Sequence, residues 1–238
     1  MGDIPYEVLQ QGGWVGPRFR GVFFFRDVFW RVVVPLVWGT RSINALDGLA
    51  VMPAQIKQRL VSVPKTRDEY LLLWADCVDY DMGFQDLAPT LDPASFLNEM
   101  VQSVERELQS TIADLCQERP NSNAMYSARN CTEKALKAFL CFHEKVTANE
   151  AKSRFGHKLD KLIAEIARLH PTSQLRTMAG QLDAFAPYAD RYSGRVFSRA
   201  ELWRAYRLAQ FAAGEVMRSV TGRNQRASVQ EFIAGIVG

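Results

Sequence analysis

The sequence has no P-loop, no G-x-G-x-x-G, no H-E-x-x-H and no G-x-S-x-G, so the common motif-bearing enzyme classes are excluded. Cysteine and histidine are scarce, at four and three residues. Cys77, Cys116, Cys131 and Cys141 fall in predicted helices without a C-x-x-C pair, which points to reduced core thiols in a cytoplasmic protein rather than to a zinc site. His143 lacks Asp, Glu or Cys at ligand spacing on both sides and His170 stands before a proline, so no metal and no cofactor is expected. Long apolar runs are missing too. The most apolar stretch, residues 21–39, is broken by Arg26, Asp27, Arg31 and Pro35, and three central charges would cost roughly 2.5 to 3.5 kcal/mol each in a bilayer. No membrane span is expected. A signal peptide is not expected either, because the apolar segment begins late and no small-residue cleavage site follows a basic leader. Tyr6 is incompatible with an N-myristoylation signal. There is no internal repeat and no low-complexity segment.

The composition that remains is that of an ordinary globular chain, 47% apolar and 23% charged over 238 residues, enough for one large core or one core with a small appendage. The net charge of +3 is unevenly spread. Residues 68–107 hold ten acids and only Arg106 as a base, whereas residues 191–226 hold eight arginines against Glu201 and Glu215. That asymmetry fits an internal electrostatic match, a head-to-tail contact between subunits, or an anionic ligand on the basic segment.

The first twenty residues, with Gly12, Gly13 and Gly16-Pro17, read as an irregular arm or a short pairing segment. Val22 to Phe25 and Val28 to Val34 are aromatic and β-branched, as strands are, joined as a hairpin at Arg26-Asp27 or continuous as one bent strand. Beyond them the pattern is helical. Pro53 opens a short helix that Pro64 closes, and Thr66 to Glu69 is a capping box for a helix reaching about Asp81. Asp92-Pro93 starts a helix with Leu97, Val101, Val104, Leu108, Ile112 and Leu115 in register, which Pro120 to Asn123 ends. Thr147 to Glu150 is a second capping box, Gly156 resets the chain, and the next helix stops at His170-Pro171. A shorter helix carries Leu175, Met178, Leu182 and Phe185. Ser198 to Glu201 caps a long alanine-rich helix that Gly222 ends, and a last helix runs from about Ala227 to Val237. The expected fold class is mainly α, an antiparallel helical bundle over 67–238 with a small β-containing element over 1–66.

Two segments carry a family resemblance. Ala128 to Leu140 contains the helix Glu133-Lys134-Ala135-Leu136-Lys137-Ala138-Phe139-Leu140, in which Glu133 and Lys137 can pair on the exposed face. Seventeen residues on, His157-Lys158-Leu159-Asp160-Lys161-Leu162 reads H-x-L-x-x-L. With Arg191-Tyr192-Ser193-Gly194 before the alanine-rich helix, the pattern resembles the HEPN superfamily of helical nucleotide-binding domains and metal-independent RNases over about 92–222. The resemblance implies nucleotide or RNA binding, a toxin or phage-defence setting, and a dimer whose subunits share one RNase site. Catalytic members place a histidine four to six intervening residues after an arginine. Here Arg154 and His157 are separated by two, and Lys152, separated by four, is a substitution.

His157 and Arg154 are accordingly the candidate catalytic pair, imidazole as base and guanidinium for phosphate. Lys152, Arg191, Tyr192, Arg195, Arg199, Arg204 and Arg207, with Tyr188, Trp203 and Tyr206 nearby, form the candidate nucleotide or RNA surface, since guanidinium groups bind phosphates and aromatic faces stack bases. Ala128, Ala135 and Ala138 on one helix and Ala205, Ala209, Ala212 and Ala213 on another permit close packing within or between chains, hence a homodimer or a subunit of a complex. The competing reading is a non-catalytic interaction protein that docks through residues 68–107 and the aromatic 22–38 element.

Overall fold

The computed structural model describes residues 14–37 and 44–237, with the backbone alone described at 14–19, 35–37, 192, 236 and 237. Gly12, Gly13 and Trp38 lie outside the described residues. Strands β1 (Trp14–Phe25) and β2 (Val28–Val37) form one antiparallel hairpin, with Phe25 opposite Val28. Of the two readings of the first twenty residues, the pairing segment holds from Trp14 onward. Arg26 and Asp27 both have positive φ, 53° and 61°, the two left-handed positions that a two-residue hairpin turn of matching twist needs. Neither is glycine, and the Arg199 side chain donates to the Asp27 carbonyl, tying the turn to the helical body.

After the short α1 (Ala54–Val61) come α2 (Pro64–Leu87), α3 (Phe96–Leu115) and α4 (Asn123–Glu144). The helix expected to start at Thr66 starts instead at Pro64, whose fixed φ suits the first helical position. Asp92 accepts the Ala94 N–H in a turn, and Ser95 caps α3 by accepting the Asn98 N–H at 3.1 Å. A single turn, α5 (Ala148–Glu150), runs into a π turn over Ala151–Phe155; α6 (Leu159–Leu169) follows. Gln174–Ala184, expected as an α-helix, is a 3₁₀ segment, in keeping with the three-residue spacing of buried Leu175 and Met178. The chain closes with α7 (Arg199–Thr221) and α8 (Gln225–Val237). The capping boxes at Thr147 and Ser198 both form, and Gly222 ends α7 at φ 74°.

Helix directions follow from the contacts. Ser110 meets Ser127 and Glu107 meets Asn130, so α3 and α4 run antiparallel. Tyr126 meets Phe197 and His143 meets Ser219, while Glu69 meets Arg207 and Asp76 meets Gly214, so α7 runs parallel to both α4 and α2. The crossover from α5 through the 3₁₀ segment makes that possible. Ala128, Ala135 and Ala138 of α4 and Ala205, Ala209, Ala212 and Ala213 of α7 are buried inside this chain, so the stripe serves internal packing. At Gly214 a Cβ would stand 2.9 Å from the Asp76 carbonyl oxygen, which is why α7 can cross α2 so closely. The hairpin lies over α2, α3 and α7: Phe23 is fully buried against Tyr70 and Trp203, and the Val22 N–H donates to the Tyr206 hydroxyl at 3.0 Å. No described helix is long and apolar enough to cross a membrane.

Helix α2 is buried on nearly every side, yet it contains Asp76, Asp79 and Asp81, each 3% exposed or less. Arg218 of α7 binds Asp76 at 2.8 Å and Asp79 at 2.9 Å, Arg226 of α8 binds Asp76 at 2.6 Å, and Arg20 of β1 binds Asp81. Asp79 also accepts the N–H groups of Gln225 and Arg226 at 2.7 and 3.1 Å, capping α8 from another helix. Removing one partner of such a pair strands a buried charge. Arg218→Ala should therefore lower the unfolding free energy by about 3 to 5 kcal/mol in chemical denaturation, against less than about 1 kcal/mol for Arg204→Ala, whose pair with Asp183 is exposed.

Candidate functional site

Glu133 sits midway along α4 and is 1% exposed. The expected pairing with Lys137 forms, at 2.6 Å, but on a buried rather than an exposed face, because the α5 turn and the π turn fold back across this part of α4. His157 follows that π turn. Its Nδ1 lies 3.0 and 3.2 Å from the two Glu133 carboxylate oxygens, while the side chain stays 72% exposed. A carboxylate only accepts, so Nδ1 carries a proton, and in the neutral imidazole Nε2 is the atom that keeps the lone pair. Arg129 donates to the His157 carbonyl at 3.2 Å, anchoring the loop from α4.

Around this dyad the chain assembles aromatic and cationic groups. The Tyr188 ring lies 5.4 Å from the imidazole, with the Arg129 guanidinium 5.3 Å from its centre. The Tyr188 hydroxyl donates to Asn130, which in turn donates to Glu107 at 3.4 Å. Burial pushes the Tyr188 hydroxyl and the Glu107 carboxyl above their ordinary values. Beside His157 opens a cavity of about 240 Å³ lined by Lys134, Lys137, Lys152 and Glu99 over an apolar base of Phe96 and Met100. The arrangement offers an outward basic nitrogen, ammonium groups beside it and an aromatic face.

The other expected site residues are dispersed. Arg154 binds Glu165 at 2.7 Å, lies over Phe155 and does not line the cavity. Arg191 lies over the Tyr126 ring, and the side chain of Tyr192 is outside the described residues. Arg195 binds Asp190 and Glu201, Arg204 binds Asp183, Arg207 binds Glu69, and Arg199 holds backbone carbonyls of Asp27 and Glu118. Trp203 and Tyr206 are core. Arg129 and Asn130, four and three residues before Glu133, share its helix face by spacing, whereas Lys134, its immediate neighbour, and Glu107, on α3, carried no such signal in the sequence. Among the described residues, no cluster of three His, Cys, Asp or Glu side chains is placed to hold a metal.

No family model matches this sequence, and no curated protein and no solved structure matches it either.

A histidine pair lies at the far end of α4. His143 approaches Ser219 at 3.3 Å, and its ring is 5.1 Å from that of His170, which binds Glu144 at 2.6 Å. Burial, then the neighbouring His170, lowers the His143 pKa below the usual 6.5, with Glu144 pulling more weakly the other way. The unfolded chain takes up this proton more readily than the folded one. Stability from neutral His143 is thus complete above the unfolded value and is lost as pH falls through the lowered folded value. In denaturant titrations from about pH 7.5 down to about pH 5, the midpoint of His143→Gln should fall less than that of the wild type.

Proposed function

We propose that the Glu133–His157 centre is a nucleotide- or RNA-binding site with a slow, metal-independent RNase activity. The observation that carries this reading is an exposed imidazole whose Nδ1 is held by a buried carboxylate beside a lysine-lined cavity. Nε2 takes the proton of a ribose 2′-hydroxyl, and the resulting oxyanion attacks the adjacent phosphorus. The bond from phosphorus to the 5′ oxygen breaks, leaving a 2′,3′-cyclic phosphate and a 5′-hydroxyl that acquires its proton from solvent. Lys134 and Lys152 offset the charge that builds on the phosphoryl oxygens, and Tyr188 offers its ring to a base. The HEPN resemblance and its toxin or defence setting support the same reading. Arg154 is assigned no catalytic role in this scheme, because it is committed to Glu165.

A non-catalytic subunit of a larger complex is the second reading, favoured by Phe232, 58% exposed on α8. The two separate in solution. Using a fluorescent single-stranded RNA, Lys134→Ala/Lys152→Ala should flatten the slope of log affinity against log salt by about 1.4, the loss of two phosphate contacts. His157→Ala should slow cleavage by about a hundredfold or more, with chelator leaving the wild-type rate unchanged. An unaltered salt slope removes the binding site from this cavity; cleavage that survives His157→Ala, or stops with chelator, removes the catalytic assignment.

A further inference from the structure

On the other side of the bundle, α2, α7, the 3₁₀ segment and the start of α8 enclose a cleft of about 700 Å³, within the range of small-molecule sites. Leu72, Leu73, Leu208 and Phe211 supply its apolar wall. The charged groups around that wall are not equivalent. Asp76, at its buried end, is taken by Arg218 and Arg226; Glu69 is taken by Arg207 at 2.7 Å; Asp68 is taken by Arg67 at 2.8 Å. Each acid on the wall therefore already has its guanidinium.

The cations on the wall equal the acids in number, three of each, but they are not all committed. Lys65 is exposed and, among the described residues, has no carboxylate partner. Arg207 uses one Nη on Glu69 and is 43% exposed, leaving further N–H donors at the mouth. Arg226 lies 4.9 Å from the Phe211 ring centre while holding Asp76, so it is fixed as part of the wall. An anion therefore meets donors that are still open at Lys65 and Arg207, beside acids that each already hold a guanidinium.

We propose that this cleft is a second binding site, distinct from the His157 centre, for a small amphipathic anion: a carboxylate on an aromatic or alkyl body. The apolar body lies against Leu72, Leu208 and Phe211, and the carboxylate meets Arg207 and Lys65 at the mouth. Glu69 competes with that carboxylate for Arg207. The competition gives the proposal a sign that general hydrophobic binding lacks, because removing the Glu69 charge strengthens anion binding and removing the Arg207 charge weakens it.

The probes are 2-naphthoate and its uncharged counterpart 2-naphthamide, titrated into the full chain and followed by leucine-methyl NMR with assigned Leu72, Leu73 and Leu208. Naphthoate should shift those methyls saturably and bind about tenfold or more tighter than the amide, the scale of a hydrogen bond to a charged group. Arg207→Gln should remove that preference, and Glu69→Gln should increase the affinity for naphthoate. Both side chains are partly exposed, and the thermal midpoint of each variant verifies that it is folded. Equal affinity for acid and amide, a Glu69→Gln variant that binds naphthoate no better, or shifts centred on Met100 in the other cavity would each overturn the proposal.

Discussion

Three aspartates on one buried helix set the arrangement of everything around them. Burying a carboxylate without a partner costs several kcal/mol, so α2 can occupy the centre only if the rest of the chain delivers cations to Asp76, Asp79 and Asp81. It does so from three places: β1 through Arg20, α7 through Arg218 and α8 through Arg226. Hydrophobic contact alone tolerates a helix sliding or rotating by part of a turn, whereas a guanidinium bound to two carboxylates does not. Arg218 spans Asp76 and Asp79 while Gly214, one turn earlier, brings the α7 backbone against the Asp76 carbonyl, so ion pair and close approach specify the same register. Asp79 then helps to fix where α8 begins, accepting the Gln225 and Arg226 N–H groups while the Asn224 side chain accepts that of Ala227.

The same physics, on a smaller scale, shapes the His157 centre. Glu133 is a core carboxylate compensated from its own helix by Lys137, and the remaining acceptor capacity is directed at one imidazole nitrogen. Position and tautomer of His157 are thereby set before any ligand arrives, which is what a base needs if it is not to be reorganised during the reaction. The anchoring runs through α4, a helix held on one face by α3 and on another by α7 through fully buried alanines. A site on a loop is in this way tied to the most densely packed helix of the bundle.

Local signals made the boundaries legible. The capping boxes at Thr147 and Ser198, the stop at Gly222 and the β-branched strands around Arg26-Asp27 all act within a few residues, and each produced the element it encodes. What the sequence left open was decided at long range. Arg218 and Arg226 meet Asp76 across well over a hundred residues, so the opposed charges of residues 68–107 and 191–226 could not be assigned to an internal match until the helices were packed. Glu133 and Lys137 show the same limit: four-residue spacing encodes their pairing, but whether that face is wet depends on a crossover that begins after α4 ends. His157 was visible as a candidate, whereas its partner was legible only as half of a helix salt bridge.

Counting arginines overstated the basic surface for a related reason. Of the eight between 191 and 226, Arg207, Arg218, Arg223 and Arg226 bind acids of the 68–107 segment, and Arg195 and Arg204 bind acids closer by. The exposure of each pair decides whether an incoming anion can recruit it. Arg218 and Arg226 hold Asp76 at 4% side-chain exposure, and releasing either would strand a buried charge, so their cationic character is spent on the fold. The exposed pairs of Arg204 and Arg207 are worth under about 1 kcal/mol, so displacing the resident acid there costs little. Among the described residues, accessible positive charge lies beside a cavity both at the lysines near His157 and at the mouth of the α2–α7 cleft. Under the two proposals an anion would be discriminated by what accompanies its charge: Tyr188 and an exposed imidazole would face a base and phosphodiester in one place, and leucine and phenylalanine would face an apolar body in the other.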